Sequence, residues 1–227
     1  MARKPRIAPG GFVYHVLNRS AGNFKMFRTN RDFAAFEKVI ADGLQRSPMR
    51  ILSYCWMSTH WHFVVWPKHD GQLTEFFRWV GLTHAIRYRV AHRSVGAGAV
   101  YQGRFKSFPV QSNGANVRAV CRYVERSALT DNLVKRAEDW RWSSLWTRRH
   151  GSPEQQAMLS KWPCPFPKDW VARVNAPIAA KELLRLSPSL ERGRPLGDEA
   201  WMAKTVKALG LEHTVRSEGR PKGKPGD

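Results

Sequence analysis

The sequence is short of acidic residues, of cysteine and of long apolar runs. Its 227 residues include 18 Asp and Glu against 38 Lys and Arg, a formal net charge of +20. The three cysteines, odd in number and far apart, argue against a disulfide framework and against a thiolate zinc site. No stretch approaches the roughly 20 apolar residues needed to span a bilayer, and the first residues lead into no apolar signal segment. We therefore expect a cytoplasmic protein with no membrane partner.

The scarcity of acidic residues predicts a polyanionic partner. Lysine and arginine neutralise phosphates and release their counterions. Nucleic acid is therefore favoured as the partner over an acidic lipid surface, and over a basic surface that serves only to keep the protein soluble. A nucleic-acid partner in turn predicts a nucleoid-associated protein. Most of the excess charge lies within residues 1–150. We predict one main domain there, a proline-containing linker with short helices over 151–215, and a basic disordered tail over 216–227.

Hydrophobic periodicity in the first 150 residues predicts the order strand, helix, strand, strand, helix, strand, helix. This order indicates an α+β fold, a ferredoxin-like antiparallel sheet with helices packed on one face. The second and third predicted strands, 50–56 and 61–66, are separated by only a few residues and should pair as a hairpin. Short helical patterns at 181–186 and 200–209 predict an irregular helical C-terminal appendage.

Two histidines at alternate positions, His60 and His62, open the apolar run of the third predicted strand. Alternate residues of a strand share a face, so both imidazoles can bind one ion. Tyr123 follows in a basic helical stretch, and a phenol can form a covalent ester with a phosphoryl group. Together they suggest metal-assisted attack on a phosphodiester. Phosphate and water as further ligands favour Mg²⁺ or Mn²⁺, whereas imidazole alone favours zinc, and either motif can also be ordinary core packing.

Four segments in a fixed order resemble the REP-associated tyrosine transposases, relatives of the single-tyrosine HUH transposases of small insertion sequences. They are HWHFVVWP from His60, YQGRFKSF from Tyr101, RYVER from Arg122 and EDWRWSS from Glu138. The resemblance implies an HUH nuclease-like domain that recognises hairpin-forming palindromic repeats in single-stranded DNA. It further implies that Tyr123 forms a 5′-phosphotyrosine and that His60 and His62 are metal ligands.

One departure from the family pattern concerns the third metal ligand. The family usually places Asn or Gln four residues after its tyrosine, and here that position is Ser127, which can act only weakly or through water. Ser58 and Thr59 replace a Pro-Asn pair, and Thr130 replaces an arginine. Two alternatives therefore stay open: a non-catalytic hairpin-binding protein, and a metal-dependent phosphodiesterase that uses activated water.

The predicted DNA contacts are basic side chains in four groups. An arm precedes the first strand, one face of the fourth strand is cationic, three arginines surround Tyr123, and a Gly-Arg-Pro-Lys segment near the end resembles an AT-hook. These residues are Arg3, Lys4, Arg6, Arg104, Lys106, Arg118, Arg122, Arg126, Arg220 and Lys222. We expect a monomer with no obligate protein partner.

Overall fold

A computed structural model describes residues 6–216 of the chain. Its strands are β1 (Val13–Arg19), β2 (Arg50–Trp56), β3 (His60–Trp66) and β4 (Lys106–Val110). Its α-helices are α1 (Asn30–Arg46), α2 (Gln72–Ala91), α3 (Gly114–Thr130), α4 (Ser144–His150), α5 (Pro153–Ala157), α6 (Trp170–Asn175), α7 (Ala180–Arg192) and α8 (Glu199–Leu209). None of the helices in this part of the chain has the length and apolar character that a membrane crossing requires.

The four strands form one antiparallel sheet in the order β2-β3-β1-β4. This order and the β1-α1-β2-β3-α2-β4 connectivity confirm the predicted ferredoxin-like α+β fold. The hairpin of β2 and β3 is confirmed as well. Strand β4 is shorter than the predicted 101–110, because the chain bends before it: Tyr101 forms an isolated bridge with Ser20, and regular pairing with β1 begins only at Lys106.

Helices cover both faces of the sheet, so the prediction of a single helical face is wrong. Helices α1 and α2 pack on one face, where Tyr14 and Val16 of β1 belong to the core. Helix α3 packs on the other face, with Val13 of the same strand in a second core. The physical reason is that β1 is buried over six consecutive residues and has no polar face to leave in water.

The region beyond residue 150 is more regular than the irregular appendage that the sequence predicted. The two short helical patterns are confirmed and extend into α7 and α8. Trp170, Val174 and Leu186 enter the second core beside α3, which fixes the appendage to the domain. Further on, Leu196 bonds to the open edge of β4, donating to Pro109 O at 2.9 Å. The predicted disordered tail beyond 216 lies outside the described residues.

Candidate active site

His60 and His62 lie at the start of β3 and point toward α3, as their alternate spacing predicted. Their ring centroids are 5.2 Å apart and the rings are nearly perpendicular. His62 is buried, whereas His60 is partly exposed at the mouth of the site. On the neighbouring strand, Arg19 pairs with His60 and Leu17 pairs with His62. The two predicted histidines therefore lie side by side at one end of the sheet.

The side chain of Tyr123, on α3, lies over these histidines on the face of the sheet that α3 covers. Its ring lies edge-on to His62, with centroids 6.0 Å apart. The side chain is partly buried, and its hydroxyl makes no hydrogen bond to any residue within 6–216. Burial raises the pKa of this phenol, and Asp131 raises it further, while the cationic Arg19 acts in the opposite direction. The structure thus brings the predicted nucleophile to the predicted ligands with its oxygen available.

His15 of β1 is a site residue that sequence reasoning missed. Its Nε2 lies 2.8 Å from Nδ1 of His62, and its side chain is fully buried. Burial lowers the pKa of His15 to about 3 and also lowers the pKa of His62, so both imidazoles are neutral. The available signal was a histidine at the centre of an otherwise apolar strand, facing the same side as Leu17.

Ser127 lies one turn after Tyr123, as predicted, but its hydroxyl is already engaged. Ser127 Oγ donates to the backbone carbonyl of Tyr123 at 3.1 Å, and the side chain is buried. One turn further, Asp131 places Oδ2 3.9 Å from His60 Nε2. This carboxylate was also missed; the signal was the repeated four-residue spacing 123, 127, 131 on one helical face.

The donor atoms around the two histidines suit a divalent ion. His60 Nδ1 contacts Thr59 Oγ1 at 3.0 Å and His62 Nδ1 contacts His15, so Nε2 of each ring is the nitrogen left to bind an ion. Neutral imidazole is the ligating form. Over residues 6–216, no three His, Cys, Asp or Glu side chains are already gathered as a metal centre. The residues present that fit the ion are therefore two imidazoles with a carboxylate nearby.

The three arginines predicted to flank Tyr123 join the appendage to α3. Arg122 donates to the carbonyls of Arg173, Ala176 and Pro177 and pairs with Glu182. Arg126 donates to the carbonyls of Val174 and Asn175, and Arg118 bonds to Cys164. Because the guanidinium groups of Arg122 and Arg126 are occupied within the protein, we correct their predicted DNA-binding role to a structural one, whereas DNA binding by Arg118 stays a prediction.

The other predicted DNA contacts divide by position. Arg104 and Lys106 are exposed, but Arg104 precedes β4, and Lys106 lies on the same face as Phe108, not on the opposite one as predicted. Arg6 donates to the carbonyl of Phe105 and stacks on its ring at 3.8 Å. A further cation, Arg19, was missed. The remaining four predictions, Arg3, Lys4, Arg220 and Lys222, lie outside the described residues.

Comparisons with known proteins found similar solved structures. The solved structure of a REP-associated tyrosine transposase bound to a REP hairpin is similar in fold, with a TM-score of 0.52 and 17% identity over 73% of this chain and 95% of that one. A proposed transposase from Deinococcus radiodurans matches at 11% identity and a TM-score of 0.39, over 55% of this chain and 96% of that one. No curated protein matches significantly.

The family comparison covers the sheet, both histidines and the tyrosine helix. The IS200-like transposase family matches residues 11–127, which is more than half of the chain and includes Tyr123 and Ser127. The appendage lies outside the match. Because this match covers more than half of the chain, the chain belongs to the IS200-like transposase family.

Proposed function

We propose that this transposase-family protein cleaves and rejoins single-stranded DNA at hairpin-forming palindromic repeats. The observation that carries the proposal is the position of Tyr123, whose ring lies 6.0 Å from that of His62. A nucleophile must lie close to the groups that hold its phosphate, since positioning supplies much of the rate. Helix α3 packs against β2 and β3 on the second face of the sheet, and this packing brings Tyr123 close to the histidines of β3.

The chemistry needs no external energy source. The phenolic oxygen of Tyr123 attacks the scissile phosphorus, its proton passes to solvent, and the bond between phosphorus and the 3′ oxygen breaks. The 3′ oxygen takes a proton and leaves as a hydroxyl, while the 5′ side remains as a phosphotyrosine ester. Rejoining is the reverse: a 3′-hydroxyl attacks the phosphotyrosine and releases Tyr123.

A divalent ion, Mg²⁺ or Mn²⁺, belongs to the proposal. His60 and His62 would hold it through Nε2, and Asp131 is the carboxylate nearest to complete the protein ligands in place of Ser127. Bound there, the ion would supply charge neutralisation of the scissile phosphate. The anionic oxygen of Asp131 suits these hard cations better than a serine hydroxyl does.

Arg19 is the cation that this chain itself places at the site. It pairs with His60 across the sheet, is exposed, and makes no side-chain hydrogen bond or ion pair within residues 6–216. Its charge counteracts the rise in the pKa of Tyr123. Arg19 would therefore stabilise negative charge on the phenolic oxygen or on the phosphate that it attacks.

Covalent trapping tests this proposal. Purified protein is incubated with Mg²⁺ or Mn²⁺ and a labelled hairpin oligonucleotide taken from palindromic repeats beside the gene, and the products are separated under denaturing conditions. We expect a protein-DNA adduct from the wild type, none from Tyr123→Phe, and none when a chelator is present. An adduct in Tyr123→Phe would show that another residue is the nucleophile.

A second candidate function is hairpin binding without cleavage. It is favoured by one observation: the third ligand position is a serine whose hydroxyl bonds to the Tyr123 carbonyl. Hairpin binding that is insensitive to chelator, with no adduct under either metal, would establish this function. Hydrolysis that survives Tyr123→Phe would instead indicate a phosphodiesterase that uses water.

A further inference from the structure

A basic cleft lies between the β1-β4 side of the sheet and the C-terminal appendage. Its volume is about 1200 Å³. One wall comes from β1, β4 and the bend before β4, and the other from the ends of α7 and α8 and the turn that follows α8. We call it the edge cleft. The appendage wall lies beyond the residues that match the transposase family.

The edge cleft is cationic on its sheet wall and of mixed charge on its appendage wall. The sheet wall contributes Arg19, Arg104 and Lys106, and the appendage wall contributes Arg192 and Arg216, all of them exposed. Two exposed acidic residues, Glu191 and Glu212, also line it. A groove with basic side chains on both walls is the form that tracks a phosphate backbone.

The strand register connects the edge cleft to the active site. Leu17 of β1 is paired with His62 on one side and with Lys106 on the other. The three side chains therefore share one level and one face of the sheet, and adjacent strands are about 4.8 Å apart. Arg19, which lines the cleft, is paired with His60. Because His62 and Leu17 are buried, a chain would pass from the partly exposed His60 by way of the exposed Arg19 into the cleft.

Helix α3 covers the β2-β3 half of this face more than the β1-β4 half. It packs mainly on β2 and β3, which form the other half of the same face. At the far end the path is closed, because Leu196 bonds to β4 beside Pro109, and Gly193 lies against Ser107. The cleft is thus open to solvent, with Arg19 at the end nearest the histidines and the appendage along its side.

We propose that the edge cleft binds the single-stranded DNA that continues from the scissile phosphate, so that the appendage forms part of the substrate site. The inference rests on the proposed function for the identity of the strand. It assigns Arg192, outside the family match, as a phosphate contact together with Arg104 and Lys106. One nitrogen of Arg192, Nη2, donates to the carbonyl of Arg216, so the phosphate contact falls to Nε and Nη1. The hairpin stem itself would lie elsewhere.

The test compares binding of two probes to the full chain. One probe is a blunt stem-loop DNA, and the other is the same stem-loop with a ten-nucleotide oligo(dT) extension; affinity is measured by fluorescence anisotropy at several salt concentrations. The variant R104Q/K106Q/R192Q removes charge from both walls. The control variant K38Q/R78Q removes exposed charge from α1 and α2, on the opposite side of the sheet.

We expect the cleft variant to bind the extended probe at least about tenfold more weakly and to lower its salt slope by about 2, as loss of three phosphate contacts requires. Binding of the blunt stem-loop should change less than about twofold, and the control should bind both probes like the wild type. Equal losses on both probes would overturn the proposal, since the cleft would then bind the stem. No loss on either would also overturn it.

These outcomes are separable from those of the proposed function. Probe binding is measured without cleavage, so a wild type that forms no adduct with DNA still reports on the cleft. Conversely, an adduct on Tyr123 together with equal affinity for the extended and blunt probes would leave the function standing and remove the cleft assignment. A duplex extension that binds as well as oligo(dT) would show that the cleft does not select single strands and would overturn the proposal.

Discussion

His15 Nε2 and His62 Nδ1 lie 2.8 Å apart inside the sheet, and this contact decides which nitrogen of His62 can bind an ion. A neutral imidazole has one N–H donor and one acceptor. If His62 donates through Nδ1, its Nε2 keeps a lone pair and can act as a ligand. In that tautomer His15 is a positioning residue: its Nε2 accepts a hydrogen bond from the Nδ1–H of His62, which keeps the proton of His62 away from the ligand position.

Replacing His15 by phenylalanine should weaken metal binding while leaving the fold intact. The side chain is completely buried, and phenylalanine keeps most of its volume but cannot accept the hydrogen bond. We expect about a 10- to 100-fold loss of Mn²⁺ affinity, measured by calorimetry on the protein without DNA. His84→Phe, a buried histidine on the opposite sheet face, is the matched control and should keep its Mn²⁺ affinity. Unchanged affinity in His15→Phe would remove the positioning role.

We expect Asp131, in place of Ser127, to be the third protein ligand of the metal ion. Asp131→Asn removes the carboxylate that lies 3.9 Å from His60 and should lower Mn²⁺ affinity about tenfold or more. Adding Ser127→Asn supplies an amide oxygen on the same helical face and should restore part of that loss. Asp42→Asn, a carboxylate of α1 paired with Arg87, should have no effect. Full affinity in Asp131→Asn would exclude Asp131 as a ligand.

Buried neutral histidines should make the protein sensitive to mild acid. Burial lowers the pKa of His84 to about 4 and that of His15 to about 3, whereas the unfolded chain titrates near 6.5. The unfolded state therefore binds more protons below pH 6.5, and stability is full above that pH and is lost as the pH falls toward 4. Each such histidine should cost about 1.4 kcal/mol at pH 5.5.

Urea unfolding at pH 7.5 and 5.5, with chelator present, measures this loss. His84→Phe removes one of the titrating groups, so its stability should fall by about 1.4 kcal/mol less than that of the wild type between the two pH values. Equal pH dependence in the two proteins would show that His84 remains accessible to protons in the native state.

Glu125 should be essential for stability and not for metal binding. It is fully buried, bonds to Ser144 and Trp170, and pairs with Arg148. Glu125→Gln keeps the shape but leaves the arginine without its counterion, which should lower the free energy of unfolding by about 3 kcal/mol. Glu182→Gln, which breaks the partly exposed pair with Arg122, should cost less than about 1 kcal/mol. A small effect of Glu125→Gln on urea unfolding would contradict the predicted role of this buried pair.

Local patterns along the sequence were sufficient for the first three strands, the first three helices and the shared face of His60 and His62. Strand and helix periods act over a few residues, so alternation and three- or four-residue spacing reveal them directly. The same reasoning predicted Tyr123 as the nucleophile, which its position over His62 supports. It failed for the fourth strand, where the bend at Tyr101 depends on a bridge to distant Ser20.

The distribution of basic residues along the sequence did not reveal which arginines are available to bind DNA. Arg122 and Arg126 are as basic as Arg104, but the carbonyls that occupy them belong to residues some 50 positions away. The sequence by itself determined the fold class, the histidine pair and the tyrosine, because each depends on local periodicity or on a motif. Only the tertiary structure decided that His15 supports His62, that Asp131 approaches His60 and that the appendage walls a cleft. Each of these contacts joins elements that are far apart in the sequence, and local patterns do not encode which distant elements meet.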